Sequence, residues 1–297
     1  MEDYLLRKEK SWYDRYYKWL LVIPLGLLAL SFVYLFLFYQ EHGDIMRKDV
    51  SLSGGTTITL RGEIERGTLE EKLQQEVPDA SVRTITELRT GKLVAVIVES
   101  SVNPEELQPA LERALGYPLT RDNSTVEFTG STLSSTFYKQ LMIALIFSFI
   151  LISIVVFFMF RTFIPSFAVI FAVFANIVIP LAIVNSMGIK LSAAGIAAFL
   201  MLIGYSVDTD ILLTTRVLKK KEGSVNERIY GAFKTGIFMT ITGLLSVAPA
   251  FFIVTGLPDS FRQIFLVLAL GLSTDILNTW LTNASILKWY TEKRGIL

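Results

Sequence analysis

The sequence contains no cysteine and a single histidine, His42, among its 297 residues. The first absence excludes a disulfide framework, a thiolate metal cluster and a thiol nucleophile. The second leaves no room for a His-rich metal site or a Ser-His relay within the chain. Charge is scarce as well: 19% of residues are charged and the formal net charge is +1, so there is no basic excess suited to a phosphate backbone. What the chain has is apolar mass. Hydrophobic residues make up 52%, with 21 Phe, and the mean hydropathy is +0.50. These figures argue against most soluble enzymes and against nucleic-acid binders. No residue set asks for a cofactor or a metal, and the length suggests two domains at about 150 residues each.

The apolar residues are gathered into runs. Leu141–Phe160 (LMIALIFSFILISIVVFFMF) carries no charge, and at about 1.5 Å per helical residue it spans about 30 Å, the thickness of a bilayer's hydrocarbon core. Trp19–Tyr39, Ile164–Val184, Ala193–Leu213, Gly236–Val254 and Ile264–Leu287 read the same way. The expectation is a polytopic α-helical membrane protein with six transmembrane helices. One span is followed by a polar insert of about 100 residues and then by five more. The first run is long for a signal peptide, follows an 18-residue polar tail, and ends in Tyr34–Tyr39 (YLFLFY), a poor cleavage site.

Lys and Arg set the orientation. With the N-terminus inside, the short inner segments carry 15 basic residues, among them Arg161, Arg216, Lys234 and Lys288; the short outer loops carry Lys190 and Arg262. The predicted organisation is a cytoplasmic tail over 1–18, a span over 19–39, an extracytoplasmic domain over 40–140, a five-helix bundle over 141–287 and a cytoplasmic tail over 288–297, in the cell membrane.

The insert has 11 basic and 16 acidic residues. Thr56–Leu60 alternates as a strand, and Thr68-x-x-Glu71 offers a capping box for a helix ending near Glu76. Ser81–Leu88 and Leu93–Glu99 are β-rich and are joined by the turn Arg89-Thr90-Gly91-Lys92. Asn103-Pro104-x-Glu106 opens a second helix, Gly116 stops it, and Thr125–Thr129 is a last strand. The order βαββαβ predicts a ferredoxin-like domain. Asn123-Ser124-Thr125 also fits a glycosylation sequon.

Ionisable groups inside a bilayer are costly and mark function by default. Asp208 and Asp210 lie on the fourth span and Asp275 near the middle of the sixth. At 100° per residue Asp208 and Asp210 point about 200° apart, so only one can face a polar interior. Gly204, Asp208 and Leu212 form one stripe; Ser206, Asp210 and Thr214 form another. Gly271, Asp275, Asn278 or Thr279, and Thr282 form a polar stripe on span six, and Asn176 and Pro180 lie on span three. The aspartates are candidates for a proton or cation relay, with Lys234 as the nearest cation; the alternative is interhelical hydrogen bonding that fixes the bundle.

The one-plus-five pattern now resembles the SecF family, the smaller partners in SecD–SecF protein export within the RND (resistance–nodulation–division) superfamily. Asp49-Val50-Ser51-Leu52-Ser53-Gly54-Gly55-Thr56 is similar to the family's Asp-aromatic-x-Gly-Gly-Thr signature. Gly204-Tyr205-Ser206-Val207-Asp208, followed by Thr215-Arg216, is similar to its fourth-span signature. The bacterial pattern places its aspartate where Thr209 stands here, and Lys234 stands where that pattern has an arginine, so the chain looks archaeal in type. The resemblance implies a non-enzymatic accessory subunit that pairs with SecD, associates with the SecY translocon and helps a translocating polypeptide cross, driven by ion flow with Asp208 as the main relay carboxylate. Its contacts would be protein and membrane lipid, with no nucleic acid. A passive assembly subunit and, remotely, an intramembrane aspartyl protease using Asp208 or Asp210 with Asp275 are the competing readings.

Overall fold

Long apolar helices and one small sheet account for the computed structural model, which describes residues 12–62, 64–86, 93–219, 223–253 and 259–295. The short helix α1 (Trp12–Leu20) leads into α2 (Val22–His42), which ends where Gly43 takes φ 72° and donates its N–H to Tyr39 O. A four-residue helix, α3 (Val50–Ser53), then opens the insert: β1 (Gly55–Arg61), α4 (Arg66–Glu76), β2 (Ser81–Thr86), β3 (Leu93–Ser100), α5 (Pro104–Leu115) and β4 (Ser124–Thr129). The bundle continues with α6 (Ser131–Phe160), α7 (Phe163–Ser186), α8 (Ala193–Lys219), α9 (Val225–Ile253) and α10 (Asp259–Leu277). A π-helical segment, Asn278–Asn283, then runs into α11 (Ala284–Arg294). Among the described residues, five stretches are long and apolar enough to cross a membrane: Trp12–His42, Ser131–Phe160, Phe163–Ser186, Ala193–Lys219 and Phe261–Arg294. The chain is a multi-pass membrane protein. The run predicted as the fifth of six spans, Gly236–Val254, falls in the 29-residue α9, with Val254 itself outside the described residues.

The four strands form one antiparallel sheet in the order β2-β3-β1-β4. Alternation decides its inner face: Ile58 and Leu60 of β1 and Val96 and Val98 of β3 pack with Leu69 and Leu73 of α4 and Leu107 and Leu111 of α5. The start of α4 differs from the capping-box expectation. The helix begins at Arg66, and Thr68 donates its hydroxyl to Glu65 Oε2 at 3.1 Å instead of capping. Starting earlier adds a turn in which Arg66 pairs with Glu70 at 3.1 Å. The predicted turn Arg89–Lys92 lies outside the described residues. At the sequon, Asn123 is tied into its own turn, donating to Pro118 O and accepting from Thr120 N.

The Gly-Gly pair sets how tightly the insert sits on the bundle. Gly54 and Gly55 have φ of 85° and 133°. A Cβ on Gly54 would lie 2.4 Å from Ser131 Cα, and one on Gly55 2.2 Å from Ser100 O. Both positions therefore require glycine for backbone conformation and for close approach. Gly55→Ala is expected to lower the stability of the insert by about 3 kcal/mol or more, as a positive φ and a backbone clash add; chemical denaturation followed by tyrosine fluorescence would check this.

In the bundle, α7, α8 and α10 are central, while α2 and α6 present most of their side chains outward. Gly271 on α10 faces Leu202 of α8, whose methyl groups would stand 2.3 and 2.4 Å from an added Cβ. This small residue lets the two helices close on each other. Gly271→Val should force them apart and cost about 1–3 kcal/mol, read as a lower unfolding temperature in detergent.

Candidate functional site

Three helices converge on a buried polar cluster in the otherwise apolar bundle. Asp275, on α10, is 1% exposed, and its carboxylate is surrounded by donors. Asn176 of α7 donates from Nδ2 to Oδ1 at 2.9 Å, Ser206 of α8 donates its hydroxyl to Oδ1 at 2.8 Å, and Thr279 of the π segment reaches Oδ1 at 3.2 Å. The Thr209 hydroxyl lies 3.0 Å from Oδ2. Asn176 is held in turn: its amide also reaches Ser206 Oγ at 2.6 Å, and its carbonyl accepts from Asn278 Nδ2 at 2.5 Å. Ser206 and Thr209 are three residues apart on one face of α8, which is why both meet the same carboxylate.

Asp210 is fully buried beside this cluster and is furnished differently. Its Oδ1 accepts from Asn283 Nδ2 at 2.8 Å, while its Oδ2 is buried with no hydrogen-bond partner. Thr279, bonded to Asp275, and Asn283, bonded to Asp210, are four residues apart, so one short segment holds both carboxylates in the same buried cluster. Two like charges in a dry interior are mutually unfavourable, so the pair holds one negative charge more readily than two. Four donors suit Asp275 to carry that charge, and a single amide with one unpartnered oxygen suits Asp210 to carry a proton. The arrangement is a buried two-carboxylate site able to take up and release one proton.

The π segment makes this geometry. On an uninterrupted α-helix Thr282, seven residues beyond Asp275, would share its face, and Asn283 would point about 80° away. The wider π turn brings Asn283 onto Asp210 and lets Asn278 and Thr279, alternatives on one face in the sequence pattern, both point inward.

Of the two fourth-span aspartates, the structure places Asp210 in the interior and Asp208 outside. Asp208 is exposed on the same face of α8 as Met201, Gly204 and Tyr205, and it has no hydrogen bond or ion pair among the described residues. Asp208, the main relay carboxylate that the resemblance implies, has its side chain on the outer face of the helix, about 200° from the cluster that holds Asp210 and Asp275. Gly204 leaves open space around its Cα, Tyr205 is 54% exposed, and Ser206 alone of that signature enters the site. Lys234 is likewise exposed, on α9, and not at the carboxylates. Arg216 ties α8 to α9, donating to Gly231 O at 2.5 Å and Thr235 Oγ1 at 2.9 Å. Thr209 and Asn283 were not singled out from the sequence. The polar pattern Asn278-Thr279-x-x-Thr282-Asn283 was the available sign of Asn283, and the spacing Ser206-x-x-Thr209 that of Thr209.

The Asp49 signature lies elsewhere, where the insert meets the bundle. Asp49 caps α3, its Oδ1 accepting from Ser51 N at 2.9 Å and Ser51 Oγ at 2.5 Å, while Ser51 Oγ accepts from Ala193 N at the start of α8. Burial pushes its carboxyl up to about 6, with the Ser51 hydroxyl bond opposing, Glu99 adding to the rise and Arg83 opposing it. Because the folded state holds this proton more tightly than the unfolded chain, the contribution of Asp49 to stability is full below about pH 4, its ordinary value, and is lost as pH rises through 6, by about 2–3 kcal/mol at 1.36 kcal/mol per unit. Asp49→Asn, which keeps a capping side chain, should flatten that part of the stability–pH curve.

Comparison with known proteins places this geometry. The family model described as "Protein export membrane protein SecD/SecF, C-terminal" matches residues 116–293. A "Protein-export membrane protein SecF" of Methanolacinia petrolearia is 38% identical over 279 residues, covering 94% of this chain and 95% of that one. One from Pyrococcus furiosus is 34% identical over 279 residues, covering 93% and 92%. Among solved structures, SecDF from Thermus thermophilus, a translocon-associated membrane protein, shares the fold at TM-score 0.75 and 19% identity. It is matched over 97% of this chain, which spans 39% of the SecDF chain. On the family model and the archaeal relatives together, the chain belongs to the SecD/SecF family of protein-export membrane proteins, as a SecF-type member.

Proposed function

We propose that the chain is an accessory subunit of Sec protein export that pairs with a SecD-type partner and draws on proton (or sodium) flow through Asp210 and Asp275. The carrying observation is the buried carboxylate pair, one member saturated with donors and the other left with a free oxygen. In this reading Asp275 is the fixed charge and Asp210 the group that loads and unloads. Six spans and a ferredoxin-like insert complete the architecture: the 29-residue α9 supplies the remaining span, and the sheet order β2-β3-β1-β4 with two helices on one face supports the insert assignment. The count of basic residues favours both termini in the cytoplasm and the insert outside the cell membrane. An aspartyl protease fits less well, since both carboxylates are at most 1% exposed and offer a peptide no approach.

The exposed face of α8 is the surface for the partner. Asp208 lies 15 residues from one end of a 27-residue helix, so it sits near mid-membrane, where a carboxylate facing lipid costs about 2.5–3.5 kcal/mol. A second protein covering Met201, Gly204, Tyr205 and Asp208 removes that cost. Because the chain lacks cysteine, single variants report cleanly. Gly204→Cys should cross-link to a SecD-type subunit in native membranes, and Ile150→Cys on the outward face of α6 should not. Cross-linking only to further copies of this chain would sink the pairing and point to a homo-oligomeric transporter. A translocon and its polypeptide would then be sought among co-purifying chains.

A further inference from the structure

A cleft of about 520 Å³ opens at the membrane end that carries the N-terminus, between α1, the beginning of α2, α7 and α11. Its floor is apolar and aromatic, from Leu21, Phe163, Ile164, Phe167, Ile286 and Trp289, and Lys18 is its one lining residue with a full charge. Phe163 and Phe167 are largely exposed, as side chains meeting hydrocarbon are. The wall formed by α1 is a built one. Lys288, only 2% exposed, holds Asp14 and Asn226, and its ammonium lies 4.7 Å from the Tyr13 ring and 5.3 Å from that of Tyr17. Tyr17, also 2% exposed, donates its hydroxyl to Glu292 at 2.6 Å, and Ser285 donates to Tyr17 O at 2.9 Å.

This wiring decides the charge that the cleft presents. Among the described residues, Asp14 is neutralised by Lys288, while Glu292 accepts from the Tyr17 hydroxyl and keeps its charge, so that Lys18, Lys293 and Arg161 leave the rim with a positive excess. The cations face outward: Lys18 is exposed at the cleft, Lys293 lies 5.2 Å over the ring of the lining Trp289, and exposed Arg161 precedes Phe163 by two residues. An apolar floor at the membrane boundary under a rim of ammonium groups matches an acyl chain joined to a negatively charged headgroup. We propose that this cleft is a binding site for an anionic phospholipid of the leaflet on the N-terminal side. The lipid's chain would lie along Phe163, Phe167 and Ile286, and its phosphate would lie between Lys18 and Lys293. The proposal is independent of the carboxylate pair and of any partner subunit.

The test uses the full chain in nanodiscs containing phosphatidylcholine with a few per cent of spin-labelled phosphatidylglycerol or spin-labelled phosphatidylcholine. The motionally restricted fraction should favour phosphatidylglycerol. At about fivefold for each lysine near a charged surface, Lys18→Gln with Lys293→Gln should lower the preference by up to about 25-fold, while Lys190→Gln at the opposite end leaves it unchanged. Ile286→Trp, which fills the floor but keeps both lysines, should reduce the restricted fraction and so report the chain-binding part separately. Equal restriction of the two lipids by the wild-type chain, a preference that survives loss of both lysines, or full displacement by glycerol phosphate without acyl chains would each overturn the proposal.

Discussion

Asp210→Asn should leave the bundle folded and remove energy-dependent export, whereas Asp275→Asn should destabilise the bundle itself. The two variants make the same isosteric change in one buried cluster, and the hydrogen-bond inventory separates them. At position 210 one oxygen accepts from Asn283 and the other has no partner, so an amide oriented with its oxygen toward Asn283 loses nothing it had. The ability to exchange a proton is gone. At position 275 an amide supplies one acceptor oxygen to a site built from Asn176, Ser206, Thr209 and Thr279 donors. Asn176, Ser206 and Thr279 all meet Oδ1, which the amide oxygen replaces, and the Thr209 hydroxyl can turn to accept from the amide nitrogen. What is lost is the charge, and hydrogen bonds to a charged group contribute about 1.5–3 kcal/mol against about 1 kcal/mol for neutral ones. Unfolding temperatures of the purified variants, set beside export in cells that carry only the variant copy, give the two readouts. Asp208→Asn is the control for stability and should not lower it, since the carboxylate makes no hydrogen bond among the described residues. If Asp210→Asn cells export normally, the relay is wrong and the passive assembly role stands.

The choice between Asp208 and Asp210 shows how far the sequence carries. That the two point apart follows from helical geometry, and the composition of their stripes held a hint: Ser206, Asp210 and Thr214 are all able to hydrogen-bond, while Gly204 and Leu212 beside Asp208 are not. Which stripe faces inward depends on where α7 and α10 pack, and a tertiary contact leaves no local signature. The π segment is a stronger case. Its six residues carry no breaker, and the extra residue in the turn is held by Asn283 on Asp210 and Asn278 on Asn176, partners 73 and 102 residues away. By contrast, the insert's strands were legible from their own residues: Thr56–Leu60 alternates as a half-buried strand does, and Leu93–Glu99 is a short β-branched apolar run buried on both faces. The apolar runs were legible because a bilayer tolerates little else. Helix α6 still begins at Ser131, ten residues before its apolar run. Its first turns rise out of the membrane to meet Gly54, and polar residues are allowed there.

A large effect on stability is expected at Lys288, which the sequence marks only as an inner basic charge. Lys288→Met removes the ammonium that sits buried with Asp14, Asn226 and the rings of Tyr13 and Tyr17. Methionine fills much of the same volume, so the loss is electrostatic and not a cavity. Asp14 is left half-shielded from water, at 23% exposure, with its counter-charge gone. Breaking a buried pair from one side costs about 3–5 kcal/mol, and the exposure of Asp14 puts this site toward the lower end. Asp14→Leu combined with Lys288→Met should recover most of that cost, because two apolar residues repack where one orphaned charge cannot. A double-mutant cycle on unfolding temperature, at fixed detergent and pH, measures the difference. Recovery would identify the pair as a device that fixes α1 against α11 at some expense of stability. Its structural consequence would then be the wall of the lipid cleft, and the double variant should hold that wall by packing alone. If both variants are equally unstable, Asn226 and the two tyrosine rings, not the ion pair, carry the attachment of the N-terminal helix.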